Sequence, residues 1–146
     1  MRVRILAAGK PALAYAKTGV AEYLKRLGRY GSFDLEFLKA GDSASVSAAL
    51  LERSAGCFRI AMDERGKALT TRGWADQFTT LEMRGEIKAV SFLIGASDGH
   101  TPELRKTCDL VWSLSSLTMQ HELALVVLLE QLYRVATLRR GEPYHR

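Results

Sequence analysis

The sequence predicts an α/β fold, a parallel sheet covered by helices on both faces, and three observations carry that prediction. Five short apolar runs, rich in branched and aromatic residues, alternate with five stretches of helical periodicity. The runs, such as AVSFLI at 89–94, lack clean polar alternation, which is the pattern of strands buried on both faces. No linker, repeat or low-complexity segment divides the 146 residues, so a single domain over 1–146 is expected.

The elements follow in order. Arg2 to Ala8 reads as a first strand ending at Gly9, and Pro11 opens a helix that runs to Gly28. Phe33 to Lys39 is a second strand, after which Asp42 and Ser43 cap a helix through Arg53. Cys57 to Met62 (CFRIAM) is a third apolar run. Thr70 and Thr71 precede a helix with Trp74, Phe78 and Leu81 at spacings of four and three, stopped by Gly85. Ala89 to Ile94 is the fourth strand, Thr101, Pro102 and Glu103 start a short helix, and Leu110 to Leu114 is the fifth strand. A long helix covers His121 to Arg139.

Composition narrows the function classes. Hydrophobic residues at 47% and charged residues at 25% exclude a disordered or fibrous chain. Cys57 and Cys108 form no CxxC, and the three histidines have no metal-pair spacing, so no metal site is expected and the cysteines read as reduced, buried apolar residues. The first residues are too briefly apolar for a signal segment, and the longest strictly apolar run, Leu123 to Leu129, is too short to span a bilayer. A soluble, cytoplasmic protein is expected.

The net charge of +5 is unevenly spread. Residues 1–30 carry seven Lys/Arg against Glu22 alone, residues 31–133 carry ten against fourteen acids, and residues 134–146 carry four against Glu142. A polyanion such as RNA, met by a surface assembled from both ends, fits this distribution, as does a plain solvated basic helix.

Parallel sheets place ligands beyond the carboxyl ends of their strands. Three loops there draw attention: MDERGK (62–67), IGASDG (94–99) and LSSLTMQH (114–121). None contains GxGxxG or GxxxxGK[ST], which disfavours a phosphate-bearing cofactor. Leu117 and Met119 keep apolar side chains among Ser115, Ser116 and Thr118, as a buried loop gripping a planar guest such as adenine would, or as a turn that only packs the last helix. That helix is apolar all round from Leu123 to Leu129, and a chain this short has little spare to cover it, so a homodimer built around it is expected.

RVRILAAGK at the start, EYLKRL in the first helix, FLIGASDG, WSLSSLTMQHELALVVLLEQLYR and the terminal PYHR together resemble the RlmH family of SPOUT (α/β-knot) methyltransferases over essentially the whole chain. The resemblance implies a C-terminal deep trefoil knot, which no composition or periodicity suggests. It also implies transfer of a methyl group from S-adenosylmethionine to N3 of pseudouridine 1915 of 23S rRNA in the assembled ribosome. Another RNA such as tRNA, or a non-catalytic ribosome-associated role, are the competing readings. Carried over by position, the cofactor contacts fall on Met62, Gly95, Leu114, Ser115, Ser116, Leu117, Thr118 and Met119, in the loops already singled out. Candidates for work on the target base are His121, Arg134, Tyr144, His145 and Arg146, with the tail completing the site of a partner subunit. Lys17, Lys25, Arg26 and Arg29 would hold the RNA backbone. Ser97 and Gln120 depart from the family, whose members often carry proline at both places, which bears on how the two loops are kept rigid.

Overall fold

The computed structural model describes residues 1–145; Arg146, one of the tail residues expected near the target base, lies outside the described residues. Its sheet has five strands, β1 (Arg2–Ala8), β2 (Phe33–Leu38), β3 (Phe58–Ala68), β4 (Ala89–Ile94) and β5 (Leu110–Ser113). Their order is β2-β1-β4-β3-β5 and every pairing is parallel.

Side-chain alternation along the strands divides the core into two layers. Val3, Ile5 and Ala7 of β1 and Val90, Phe92 and Ile94 of β4 face a layer formed by α1 (Ala14–Leu27), α3 (Thr71–Met83) and α5 (His121–Arg139). Leu6, Ala8 and Leu93 face the opposite way, toward Val46 and Leu50 of α2 (Ser43–Arg53) and Leu104 of α4 (Pro102–Thr107). Both faces are thus covered, as the uninterrupted apolar strands require. Trp74 stacks on Phe92 at 6.0 Å and tilts against Trp112 at 5.0 Å, so rings from α3, β4 and β5 lock that layer together.

Three elements differ from the sequence expectation, each for a physical reason. The third strand runs on past Met62 to Ala68: Met62 and Lys67 both pair with Trp112, and residues 63–66 leave the ladder between them. This polar excursion has no apolar signature. Within it Gly66 presses on the fifth strand, and a Cβ there would lie 2.6 Å from the backbone of Val111. Helix α1 begins at Ala14, three residues after Pro11, because the amides of Ala12 and Leu13 donate to the Glu122 carboxylate (2.6 and 3.0 Å) instead of opening a helix. The third difference concerns α5. The chain itself covers much of it: Leu125, Leu128, Leu129 and Leu132 are fully buried between α1 and α3, so its apolar girth alone does not require a second subunit. What stays open lies at the starts of the helices, with Leu13 and Leu123 exposed at 42% and 38%. Among the described residues no helix is long and apolar enough to cross a membrane, and no cluster of His, Cys, Asp and Glu could hold a metal.

Candidate functional site

The loops after β3, β4 and β5 converge with the start of α5 on a cleft of about 290 Å³. Residues 62–65, 94–100, 113–115, 117–121 and Ala124 line it. All the sequence-predicted cofactor contacts except Ser116 are there: Met62, Gly95, Leu114, Ser115, Leu117, Thr118 and Met119. Ser116 is exposed outside the lining.

Each loop is held by bonds that sequence reading did not find. In the β4 loop, the Asp98 carboxylate accepts from the Ser43 amide (3.1 Å), and the Ser43 hydroxyl donates to the Gly99 carbonyl (2.7 Å). Gly99 has φ +85°, which favours glycine, and the turn is tied to the start of α2 without needing a proline at Ser97. In the β5 loop, the Ser113 hydroxyl donates to the Ser115 carbonyl (2.6 Å) and the Leu117 amide to the Ser115 hydroxyl (3.0 Å). Gln120 caps α5, its side-chain oxygen accepting from the amides of Glu122 and Leu123 at 3.0 Å each. Gln120 therefore stabilises the helix start by hydrogen bonding. Gln120→Ala should cost about 1 kcal/mol in a chemical-denaturation experiment, the usual loss for a removed N-cap.

Glu122 joins α5 to α1. Its carboxyl is held below the usual range by the Leu13 amide, against the opposing effect of burial, with the Ala12 amide adding to it. Across the cleft mouth the Thr118 hydroxyl donates to the Glu64 carboxylate, linking the β3 excursion to the β5 loop. Below it the Asp63 side chain, 5% exposed, pairs with Arg65 (3.3 Å) and lies 3.7 Å from Arg105.

Two residues floor the cleft. Gly95 must be glycine, because a Cβ there would approach His100 Nδ1 to 2.9 Å. The His100 side chain bonds through Nε2 to the Leu93 carbonyl (3.0 Å), is 6% exposed, and leaves Nδ1 buried without a partner. Sequence reading passed over His100; its position next to Gly99, at the end of a glycine loop, was the available signal. Bare glycine backbone, hydroxyls, apolar Leu114, Leu117 and Met119, and carboxylates at Asp63 and Glu64 suit a nucleoside-sized ligand carrying positive charge.

The candidates for work on the base do not assemble within one chain. His121 lines the cleft, but Arg134, Tyr144 and His145 do not. Thirteen residues of helix separate His121 from Arg134, roughly 20 Å at 1.5 Å per residue. The tail docks beside the far end of α5. Tyr144 packs edge-on to Tyr133 (4.7 Å), its hydroxyl donates to Glu130 (3.2 Å), and the Arg134 guanidinium lies 4.6 Å over its ring. Burial above all pushes the Tyr144 phenol up to about 12, and the bond to Glu142 does the same for Tyr30. His145 Nδ1 is buried with no partner among the described residues. Of the basic residues named for the RNA backbone, Lys17 and Lys25 on α1 and Arg29 just past its end are exposed, while Arg26 pairs with Glu22 (2.7 Å) and lies against Tyr23 and Tyr133.

The fold is shared by two solved methylase structures. The tRNA (m1G37) methyltransferase of Aquifex aeolicus superposes on 100% of this chain and 75% of its own, with a TM-score of 0.58 at 13% identity. A probable methylase family protein of Haemophilus influenzae covers 99% of this chain and 70% of its own, with a TM-score of 0.59 at 10% identity. The family model described as predicted SPOUT methyltransferase matches residues 1–145. At the sequence level, a ribosomal RNA large subunit methyltransferase H of Thermus thermophilus is 47% identical over 100% of this chain and 99% of its own. The same-named protein of Deinococcus radiodurans is 40% identical over 100% and 99%. The chain belongs to the ribosomal RNA large subunit methyltransferase H family of SPOUT methyltransferases.

Proposed function

We propose that the protein methylates 23S rRNA of the large ribosomal subunit, at N3 of pseudouridine 1915, using S-adenosylmethionine on the assembled ribosome. The observation that carries this reading is the cleft itself: in a chain 47% identical to a named large-subunit rRNA methyltransferase, the loops that resemble the family's cofactor loops close on one cavity. With the ribosome as substrate, the protein acts in the cytoplasm.

Bound S-adenosylmethionine supplies a methyl group already activated on a sulfonium. The protein has then to hold donor and base in line and exclude water. Gly95, Leu114, Ser115 and residues 117–119 line the space for the cofactor, and the Thr118–Glu64 bond spans its mouth. The N3–H of pseudouridine is a weak acid that must lose its proton before or during attack. Of the described candidates named from the sequence for work on the base, His121 is the one that stands at the cleft of its own chain. Arg134, Tyr144 and His145 reach a cleft only if they come from a second copy. An antiparallel pairing of two α5 helices, each about 28 Å long, brings the tail of one copy to the cleft of the other. Leu13, Tyr15, Leu117 and Leu123, all exposed near the start of α5 or beside it, support such a pairing. In it Tyr144 bounds the target base, and His145 and Arg146 meet its carbonyls or a neighbouring phosphate. Exposed Lys17, Lys25 and Arg29, with Arg26 behind them, hold the RNA backbone in a salt-sensitive, sequence-blind manner. The trefoil threading belongs to the same reading, supported by membership of the SPOUT methyltransferases.

Two measurements test the proposal. Calorimetry should detect S-adenosylmethionine binding to the purified protein, and its absence would favour a non-catalytic ribosome factor. Light scattering at micromolar concentration should give a dimer, and a monomer would remove the shared site.

A further inference from the structure

A second cavity of about 290 Å³ lies at the opposite edge of the sheet from the cleft, where β1 and β2 begin and α3 and α5 end. Its floor is apolar, with Val3, Phe78, Leu132 and Val135 all buried there. Tyr30 and Phe33 form a half-buried wall that leaves ring surface open, and Ser32, Glu82, Arg139 and Arg140 stand exposed around it.

The charge at this rim is not balanced. Glu82 accepts from both terminal nitrogens of Arg139 (3.1 and 2.7 Å), so that pair is neutral. Arg140 is left over. Among the described residues it forms no ion pair, and its guanidinium lies 4.7 Å over the Tyr30 ring. Arg29, next to Tyr30 in the chain, is exposed too, so positive charge continues from the rim to the end of α1.

We infer that this cavity holds one unstacked nucleotide of the substrate RNA, away from the target position: its base lies against Tyr30 and Phe33 with Ser32 and Glu82 at its edge, and Arg140 meets its phosphate. This inference rests on the rRNA methyltransferase reading.

A base brings a flat apolar face and a hydrogen-bonding edge, and its phosphate brings the negative charge that the rim lacks. Aromatic walls stack on any base, so the cavity selects an unpaired nucleotide rather than a sequence. Its size, at the small end of ligand sites, suits one nucleoside. A second copy of the chain is the wrong occupant. Leu132, Val135, Ala136 and Arg139 share the stripe of α5 that faces this cavity, while Glu130 and Arg134, which hold Tyr144, lie half a turn away around the helix. Pairing of copies through the tail side of α5 therefore leaves the cavity open. The bound nucleotide gives the RNA a second fixed point, and the target base is then presented from a strand held at both places.

The experiment uses the full-length protein and ribosomes from a strain lacking this gene, with binding measured by filtration at several salt concentrations. Ala136→Phe places a ring in the cavity and should weaken ribosome binding about tenfold, the effect of one lost stacked base, with S-adenosylmethionine affinity and the salt dependence unchanged. Arg140→Ala should lower the slope of log affinity against log salt by about 0.7, one single-stranded phosphate contact. Lys106→Ala, on α4 across the sheet, should change neither. The unmodified protein supplies a check that needs no variant: ultraviolet crosslinking of its ribosome complex, read by mass spectrometry, should place a nucleotide on Tyr30 or Phe33. Crosslinks confined to other segments, or wild-type ribosome affinity in a folded Ala136→Phe, overturn the inference and leave the methyltransferase reading standing. Loss of the dimer in a folded Ala136→Phe assigns the cavity to a second copy and overturns it equally. No binding of ribosomes or rRNA by the unmodified protein overturns both.

Discussion

Removal of Glu142 to Arg146 should abolish methyl transfer, by at least about a hundredfold, while cofactor affinity stays at the full-length value. The structure separates the two effects in space. The segment docks on Tyr133, Glu130 and Tyr30 beside the far end of α5, and none of its described residues lines the cleft of its own chain. If the tail works on a second copy's base, loss of turnover comes without loss of binding. Mixing makes the test specific. A tail-less chain combined with a full-length chain carrying Gly95→Val should regain activity, because one site of the mixed dimer has both an intact cleft and an intact tail. Wild-type turnover by the truncated protein, or no recovery on mixing when each chain is folded and dimeric, contradicts a shared site.

Gly66→Ala should destabilise the protein by about 3 kcal/mol or more, an effect at the top of the range for forced overpacking. The new methyl would meet the backbone of Val111 at 2.6 Å and that of Trp112 at 2.7 Å, and a backbone in the middle of a paired strand has no alternative rotamer. The neighbouring strand carries Trp112, which is 2% exposed and packed on Trp74 and Phe92, so displacing it disturbs the aromatic layer as well. Gly85→Ala is the control. Nothing lies within 4 Å of a Cβ there, and urea unfolding should show a change of no more than about 0.5 kcal/mol. Equal stabilities for the two variants would remove the claim that the β3 excursion is locked against β5.

These two positions also mark where the sequence was legible. Strands such as AVSFLI announce themselves because parallel pairing under helices on both faces leaves no polar alternation, and each of the five runs became a strand. The stretch DERGKA did not, since it is polar and only Lys67 and Ala68 rejoin the ladder, and nothing in its side chains records that β5 lies alongside. Thr70, Asp42 and Thr101 were readable as caps because capping is local; all three accept from an amide three residues on. Glu122 was not, because its partners, Ala12 and Leu13, stand about 110 residues away in the chain. The all-apolar stretch of α5 correctly signalled burial, but a hydrophobic pattern does not say what covers it, and α1 and α3 do most of that. The site was legible as three loops, and the resemblance turned loops into named contacts. His100 escaped because its role depends on the Leu93 carbonyl and the bare Gly95 above it, neither of which is a side-chain signal.

The most direct test of the central claim uses ribosomes from a strain lacking this gene, incubated with the purified protein and labelled S-adenosylmethionine, alongside isolated subunits, free rRNA and tRNA. Mapping by mass spectrometry should place one methyl group on N3 of pseudouridine 1915 of 23S rRNA, in assembled ribosomes. A methyl at another nucleotide, incorporation into tRNA, or none in any RNA by a protein that binds the cofactor would contradict it.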